Sequence, residues 1–387
     1  MVSPHFNGVL DELASDAIGR SRGSRSRVLR ALVFAVIPAF LIMLFGSMSA
    51  RAEAPTFTVG WSVYAGWNPY FYMAKSGILK RWADKYGIVI KVQRFDYAAS
   101  LDAFVGKNID ACTMTNMEAL DMPAAAGVDS TALIVGDYSN GNDAVLARNN
   151  LTLAQLPGKR IMLVQKTVSE YLLERAMDTN GLSAQIPQLK LVNTSDSDLV
   201  GAFLGSQGNQ VAVTWKPLVS QILAQGGNVK SLFDSSKIPG EILDLLVVRT
   251  EVLQRPDGSG AKFAKAITGA WYETVAQLAG GPGAERAIHD SAAASGDTVN
   301  SYKEQLRTTF LFSTPKAAVQ YSESPALKQK MDLVRQFCFR HQLLGLNIKS
   351  VDDVAIKYPD GSVQGKSDRI RFRFDSSYMR LAEQGKL

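Results

Sequence analysis

Large aromatic side chains are concentrated in one short stretch near the start of the predicted fold. The segment VGWSVYAGWNPYFYMAKSGIL, residues 59–79, is crowded with them, although only 9% of the chain is Phe, Trp or Tyr. Gly66 and Pro69 interrupt any regular element, so Tyr64 and Trp67 are predicted to lie on a loop between a strand and a helix. Flat rings on a loop can stack on a cation or a planar solute, and we expect both side chains to contact a ligand.

Carboxylate and amide side chains fall near the carboxyl ends of other predicted strands, where open α/β sheets bind ligands. Glu118 follows the strand IDACTMT, Asp137 ends the strand STALIVGDYS, and Trp215 ends the strand QVAVTW in the second half of the chain. Acidic residues at such positions are also common as helix caps or solvated loop charges, and that alternative stays open. The predicted ligand-binding residues are Tyr64, Trp67, Asn116, Glu118, Asp137, Ser169, Glu170, Trp215 and Asp244.

This combination of side chains favours a cation or a planar solute that is rich in N–H donors. A carboxylate can accept two such donors at once, and a ring can stack on the solute's face. The nearest cations in the same loops are Lys166 and Lys216, whereas a nitrate or sulfonate site should offer cations or bare helix N-termini. Contacts worth roughly 1–3 kcal/mol each when desolvated would together give about micromolar affinity.

The residue types argue against an enzyme. After residue 54 there is no G-x-S-x-G motif, and the only histidines there are His289 and His341, both in predicted helices far from the strand-end loops. Cys112 and Cys338 give no metal-site spacing and could be two buried thiols or one disulfide. No metal and no cofactor are therefore expected. The formal net charge of +6 is mild and no Lys/Arg run follows residue 54, so no nucleic acid partner is expected.

Residues 1–54 have the features of an export signal peptide. GRSRGSRSRVLR is basic, ALVFAVIPAFLIMLFGSMSA is apolar and uncharged, and ARAEA offers small residues for cleavage after Ala52. A retained membrane anchor is the alternative, because an apolar run of this length could just span a bilayer. No cysteine follows the run, so lipid attachment there is excluded. We expect a soluble protein of the periplasm.

Strand-like and helix-like segments alternate from residue 55 onward, which predicts an α/β fold with largely parallel sheets. Two such cycles predict two lobes, joined by extended crossover segments near 143–148 and 240–249. A mainly helical part should pack on the first lobe. The predicted boundaries are 1–54 for the signal peptide, 55–142 for the first part of lobe 1, 143–243 for lobe 2, and 244–387 for the second part of lobe 1 with the C-terminal helices.

The chain resembles the periplasmic substrate-binding proteins of ABC transporters, in the nitrate/sulfonate/taurine-type group. The resemblance lies in GWSVYAGWNPYFYMAKSGIL, FVGKNIDACTMTNMEAL, LPGKRIMLVQKTVSEYLLERA and VAVTWKPLVSQIL. The segments GWSVYAGWNPY and CTMTNMEALDMPAAAGVDSTALIVGDYSNGNDAV are similar, more narrowly, to the branch associated with urea carboxylase systems.

This resemblance implies a periplasmic binding protein type II-like fold with a cleft between the lobes. It also implies a non-enzymatic monomer that delivers a small solute to a membrane permease and its ATPase. For the narrower branch the solute would be guanidine or urea, and for the wider group nitrate, taurine or another sulfonate or oxyanion. An enzyme such as the pyrimidine-precursor synthases of thiamine biosynthesis shares the architecture, but those enzymes carry a Cys-rich motif that this chain lacks.

Overall fold

The computed structural model of the protein describes residues 53–225 and 227–387. The predicted export signal and its cleavage site, at positions 1–52, lie outside the described residues. Within the described residues no helix is both long enough and apolar enough to cross a membrane.

The first lobe begins with alternating strands and helices, as the sequence predicts. Its elements are β1 (Thr56–Trp61), α1 (Asn68–Lys75), α2 (Ile78–Lys85), β2 (Val89–Arg94), α3 (Tyr97–Val105), β3 (Ala111–Thr115) and β4 (Ser130–Ser139). β1 pairs in parallel with both β2 and β3. Parallel neighbours need helical crossovers, and these crossovers cover the sheet and bury its apolar side chains.

The second lobe has its own sheet. Its elements are β5 (Ala144–Arg148), β6 (Arg160–Leu163), α4 (Val168–Thr179), β7 (Lys190–Asn193), α5 (Asp196–Leu204), β8 (Val211–Thr214), α6 (Leu218–Gln225) and β9 (Val229–Asp234). The strand order is β7-β6-β8-β5-β9. β6 runs parallel to β7 and β8, as expected for an α/β lobe.

The remaining chain returns to the first lobe. Its elements are β10 (Leu243–Arg249), α7 (Thr250–Leu253), α8 (Ser259–Leu278), α9 (Ala284–Ala294), α10 (Val299–Arg307), β11 (Thr309–Leu311), α11 (Pro315–Ser322), α12 (Pro325–Arg340), β12 (Ala355–Lys357), β13 (Val363–Gln364), β14 (Ile370–Phe374) and α13 (Ser377–Glu383). The first sheet has the order β13-β12-β14-β4-β10-β3-β1-β2, with β11 also paired to β4.

The segments predicted as crossover links are in fact strands at interior positions of the sheets. β5 enters the second lobe and runs antiparallel between β8 and β9, while β10 returns to the first lobe and runs antiparallel between β3 and β4. Every residue of both strands is buried, which fits their near-continuous apolar sequences. Each sheet is therefore mixed and not largely parallel, and the chain crosses between lobes immediately before each inserted strand.

The core of the first lobe is built on the long helix α8, which packs against α1 and α2. Trp271 of α8 is buried and stacks on Tyr70 of α1 with ring centroids 5.0 Å apart. Trp82 packs against this core but is only half-buried, and it donates its indole N–H to Glu273 at 2.8 Å. Cys112 and Cys338 are separate buried thiols with no disulfide between them.

Candidate functional site

Four aromatic rings from the two lobes form one wall of the cleft between them. Tyr64 and Trp67 lie in the loop between β1 and α1, with ring centroids 5.2 Å apart. Tyr97, the first residue of α3, lies 5.2 Å from Trp67 and 5.8 Å from Trp215, which follows β8 in the second lobe. All four side chains are buried. The row of rings that begins with Tyr64 and Trp67 in the first lobe therefore extends to Trp215 in the second lobe.

Two aspartates lie side by side at the end of the first sheet that faces the second lobe. The antiparallel register of β4 and β10 places Asp137 directly opposite Asp244, so their Cβ atoms are about 5 Å apart. Both residues are buried, and Oδ2 of each has no hydrogen-bond partner among the described residues. The Tyr64 hydroxyl donates to Oδ1 of Asp137 at 3.3 Å. Asp244 lines the cavity, so its Oδ2 atom is able to accept a hydrogen bond from a ligand, whereas Asp137 lies against Gly66 and supports Asp244 from outside the lining.

Burial prevents these carboxyl groups from ionising as readily as carboxyl groups in water. Burial raises the pKa of Asp137 to about 7. The pKa of Asp244 is raised well above its usual value, first by burial and then by the charge of Asp137. Asp143, next to β5, also has its pKa raised to about 7 by burial. A buried carboxylate loses hydration, and a cation bound among these groups would restore favourable interactions with the charged forms.

Gly66 allows the aromatic loop to lie directly on the carboxyl pair. A methyl group at position 66 would overlap the carboxylate of Asp137. Glycine is the residue that permits such a close approach of the backbone to another group. The glycine that interrupts the aromatic stretch in the sequence therefore has a packing role at the site.

The side chain of Glu118, a residue of the first lobe, lies at the N-terminus of helix α4 in the second lobe. The backbone N–H of Val168 donates to Oε1 of Glu118 at 2.9 Å, and the Thr115 hydroxyl donates to Oε2. Glu118 is fully buried, and burial raises its pKa although these hydrogen bonds act in the opposite direction. The unpaired N–H groups at a helix N-terminus form a ready site for an anion. Here the chain's own carboxylate takes that position.

The aromatic wall and the carboxyl groups enclose a small cavity between the lobes. Its volume is about 20 Å³, which is about the space that one water molecule needs, so even a solute of a few heavy atoms would require the cleft to widen slightly. It is lined by Tyr64, Trp67, Tyr97, Thr115, Asp143, Val168, Trp215, Ile242 and Asp244. No Lys or Arg is among these described lining residues. The ammonium group of Lys216, the residue after Trp215, donates a hydrogen bond to the Thr308 hydroxyl at 2.8 Å.

The predicted site residues separate into two groups. Tyr64, Trp67, Trp215 and Asp244 line the cavity. Asp137 and Glu118 are not lining residues, but each is hydrogen-bonded to a residue that is.

Asn116, Ser169 and Glu170 do not line the cavity. The Asn116 side chain makes two hydrogen bonds to the backbone of the crossover that leads into β10, each 3.0 Å long. Ser169 is buried one residue beyond the lining residue Val168. Glu170 accepts a hydrogen bond from the backbone N–H of Lys166 at 2.9 Å. Asn116 and Glu170 hold the segments around the site, whereas the buried Ser169 hydroxyl has no hydrogen-bond partner among the described residues.

Sequence reasoning did not single out Tyr97 as a site residue. In the structure α3 already begins at Tyr97, which places this ring at a strand-to-helix junction. Thr115 and Val168 lie in strand-end segments that the sequence indicated but did not single out. Asp143 could have been identified from its position at the start of the predicted crossover, because a residue at a crossover lies where the two lobes meet.

No protein-family model matches the chain, and no curated protein matches it in sequence. Solved structures do match. The periplasmic aliphatic sulphonate binding protein SsuA from Escherichia coli is 19% identical, with a TM-score of 0.60 over 75% of this chain and 94% of that chain. The alkanesulfonate-binding protein SsuA from Xanthomonas axonopodis pv. citri, bound to MOPS, is 16% identical, with a TM-score of 0.60 over 76% and 96%.

A third structure describes the architecture in general terms. The Candida albicans CA3427 gene product, which exhibits the generic periplasmic binding protein structural fold, is 14% identical, with a TM-score of 0.54 over 72% of this chain and 90% of that chain. Identities this low support a conclusion about fold and not about ligand. The fold class predicted from the sequence is confirmed: the chain has the two-lobed fold of periplasmic binding proteins.

Proposed function

We propose that this protein is the solute-binding receptor of an ABC importer and that it captures guanidinium in the cleft between its lobes. The observation that carries the proposal is the buried carboxyl pair of Asp137 and Asp244, whose Oδ2 atoms have no donor among the described residues. Guanidinium is flat, carries N–H donors along each edge and has weakly hydrated faces. One carboxylate can accept two of its N–H groups, and aromatic rings can stack on its faces.

The size of the cavity supports the same class of solute. A volume of about 20 Å³ suits a compact head group better than a solute with an extended organic tail. The rings of Tyr64, Trp67 and Trp215 supply flat surfaces around it. Urea has nearly the same shape and two amino groups, so it is the neutral solute that competes with guanidinium in this proposal.

An oxyanion or sulfonate is the alternative, and the sulfonate-binding proteins among the structural matches favour it. In this chain, however, Glu118 lies on the backbone N–H of Val168 at the start of α4. An anion would have to displace that carboxylate and then lie close to Asp143 and Asp244. Like charges in a buried site raise each other's free energy, so the acidic lining disfavours nitrate and taurine.

Calorimetric titration of the purified mature protein with guanidinium, urea, nitrate and taurine tests the proposal. We expect guanidinium to bind most tightly, urea more weakly, and the two anions not to bind. Asp244→Asn should weaken guanidinium binding by about 30-fold or more, because it removes a buried charged partner. Asp102→Asn, the same change on an exposed residue of α3, is the matched control and should leave affinity unchanged.

The opposite ranking would overturn the proposal. If taurine or nitrate binds and guanidinium and urea give no heat, the receptor serves an anion. Glu118→Ala adds a further discrimination, because it exposes the N–H groups at the start of α4. That variant should gain weak sulfate binding if the chain's own carboxylate is what occupies an anion position. For a receptor that already binds anions, the variant should change little.

The cellular setting belongs to the same proposal. A periplasmic receptor with a cleavable signal would collect the solute, close around it and dock on a membrane permease with its ATPase. Closure would be a hinge motion at the two crossovers before β5 and β10. We propose that the protein acts as a monomer in this cycle, with the lobe boundaries at residues 142–143 and 243–244.

A further inference from the structure

A second hollow lies on the other side of Trp215 from the cavity. We call it the outer groove. It has a volume of about 200 Å³, compared with about 20 Å³ for the cavity. Its lining residues are Val63, Arg94, Phe95, Asp96, Asp196, Ser197, Trp215, Pro217, Leu218, Gln221 and Ser295. Among the described residues Trp215 is the one that lines both hollows, so its side chain stands between them.

The Trp215 side chain, which belongs to the second lobe, is held in this position by contacts with the first lobe. Its indole N–H donates to the backbone oxygen of Val63 in the first lobe at 3.4 Å. Its ring makes an edge contact with Tyr97, also of the first lobe. Its own backbone oxygen accepts from Val219 N at 3.0 Å in the second lobe. An indole that is fixed against the first lobe and anchored through its backbone in the second can reject a solute that would require the ring to move.

We propose that the Trp215 indole determines specificity by separating the cavity from the outer groove, so that the site accepts an unsubstituted guanidinium and rejects N-alkylguanidines. This inference rests on the proposed function. A substituent on the guanidinium nitrogen nearest Trp215 would meet the indole, because the cavity has little room to spare. Without the indole, the cavity and the groove would form one continuous binding site.

The outer groove has the chemistry to hold an alkyl chain that ends in an amine. Phe95, Pro217 and Leu218 provide apolar surface along it. Asp96 comes from the first lobe and Asp196 from the second. Their proximity is reflected in the pKa of Asp196, which is raised first by burial and also by the charge of Asp96. A primary ammonium group between these carboxylates would relieve that repulsion, which makes (4-aminobutyl)guanidinium a suitable probe.

The test compares three ligands on three proteins. Guanidinium, methylguanidinium and (4-aminobutyl)guanidinium are titrated into the wild-type protein, Trp215→Ala and Trp215→Leu. The wild-type protein should prefer guanidinium over both substituted ligands by about tenfold or more, the discrimination that one steric group provides. Both variants should lose part of the affinity for guanidinium and bind the substituted ligands at least as tightly as guanidinium. Trp215→Leu keeps apolar volume and covers the case in which the alanine variant fails to fold.

Asp196→Asn in the Trp215→Leu background adds a second readout. It should weaken binding of (4-aminobutyl)guanidinium by about tenfold, the value of one charge-assisted contact, and leave methylguanidinium unchanged. Equal affinity of the wild-type protein for guanidinium and its alkylated forms would overturn the inference and leave the proposed function intact. So would a Trp215→Leu variant that binds guanidinium and still rejects the substituted ligands. A wild-type protein that binds no guanidinium overturns the proposed function, and the inference with it.

Discussion

The carboxyl pair of Asp137 and Asp244 should make binding of a cation depend on pH. Burial raises the pKa of Asp137 to about 7 and raises that of Asp244 well above its usual value. Near neutral pH the pair therefore retains a proton for part of the time. A guanidinium ion binds the ionised carboxylates, so that proton must leave when the ligand enters. Affinity for guanidinium should accordingly rise with pH.

The size of the effect follows from the pKa of Asp137. With that pKa at about 7, its ionised fraction falls from about 0.9 at pH 8 to about 0.1 at pH 6. Because the apparent dissociation constant scales with the inverse of the binding-competent fraction, affinity should fall about tenfold over this range. Asp143, whose pKa is also raised to about 7, acts in the same direction and can only steepen the change.

Calorimetry in two buffers of different ionisation enthalpy measures the released protons directly. At pH 7 guanidinium binding should release about half a proton from Asp137 alone. Urea is neutral, so it should release none, and its affinity should stay level or fall as the pH rises. Guanidinium affinity that is independent of pH between 6 and 8, or that falls with rising pH, would refute the proposed role of the pair. An anion site would show proton uptake.

Asp137→Asn is the matched variant for this experiment. It should weaken guanidinium binding by about 30-fold or more and reduce the pH dependence. Since the pKa of Asp137 is raised in the folded state, that residue's contribution to the free energy of unfolding falls as the pH rises from about 4 to about 7. The ligand-free Asn variant should therefore unfold at a temperature equal to or above that of the wild-type protein at pH 8. If the Asn variant binds guanidinium more weakly but is no less stable, then Asp137 serves ligand binding and not only the stability of the fold.

Two further predictions concern the groups that support the site. Gly66→Ala should cost about 1–3 kcal/mol of stability and most of the guanidinium affinity, because its methyl group overlaps the Asp137 carboxylate. Gly201→Ala, on a helix with open space around the new methyl group, should be neutral or stabilising in the same thermal unfolding and titration measurements. His341 contacts Glu174 of α4 across the lobes, and this hydrogen bond raises the histidine's pKa. His341→Gln should therefore lower the unfolding temperature at pH 6 but hardly at pH 9, and an equal loss at both pH values would contradict a charged contact.

The architecture could be predicted because its signals are local. The apolar run of β4 was located correctly from its sequence. Strand-to-helix junctions follow from such elements, and they led to Tyr64, Trp67 and Trp215. The antiparallel insertion of β10 between β3 and β4 could not be predicted in this way, because pairing depends on contacts between residues that are distant in sequence.

The finer geometry of the site depends on the same distant pairings. The β4–β10 register brings Asp137 and Asp244 together, although 106 positions separate them in the sequence. Glu170 was expected at the ligand, but its side chain lies 3.7 Å from His341, a histidine expected far from every strand-end loop. Nothing in the local sequence of either residue indicated that α4 and the end of α12 would meet.

Glu118 and the carboxyl pair together suggest why the lobes would close on a cation in preference to closing empty. In the described structure Val168 of the second lobe contacts Glu118, and the Trp215 indole contacts the backbone of Val63. Asp137 and Asp244 are buried, which is unfavourable while they carry charge. Under the proposed function, a guanidinium ion beside Asp244 would restore favourable interactions with the charged pair, so it would lower the free energy of the closed form more than that of the open form. Such a difference in affinity between two states is what drives a change in conformation. A neutral solute offers less of this compensation and an anion offers none, so the same buried charges would provide both selectivity and the signal that the cleft is filled.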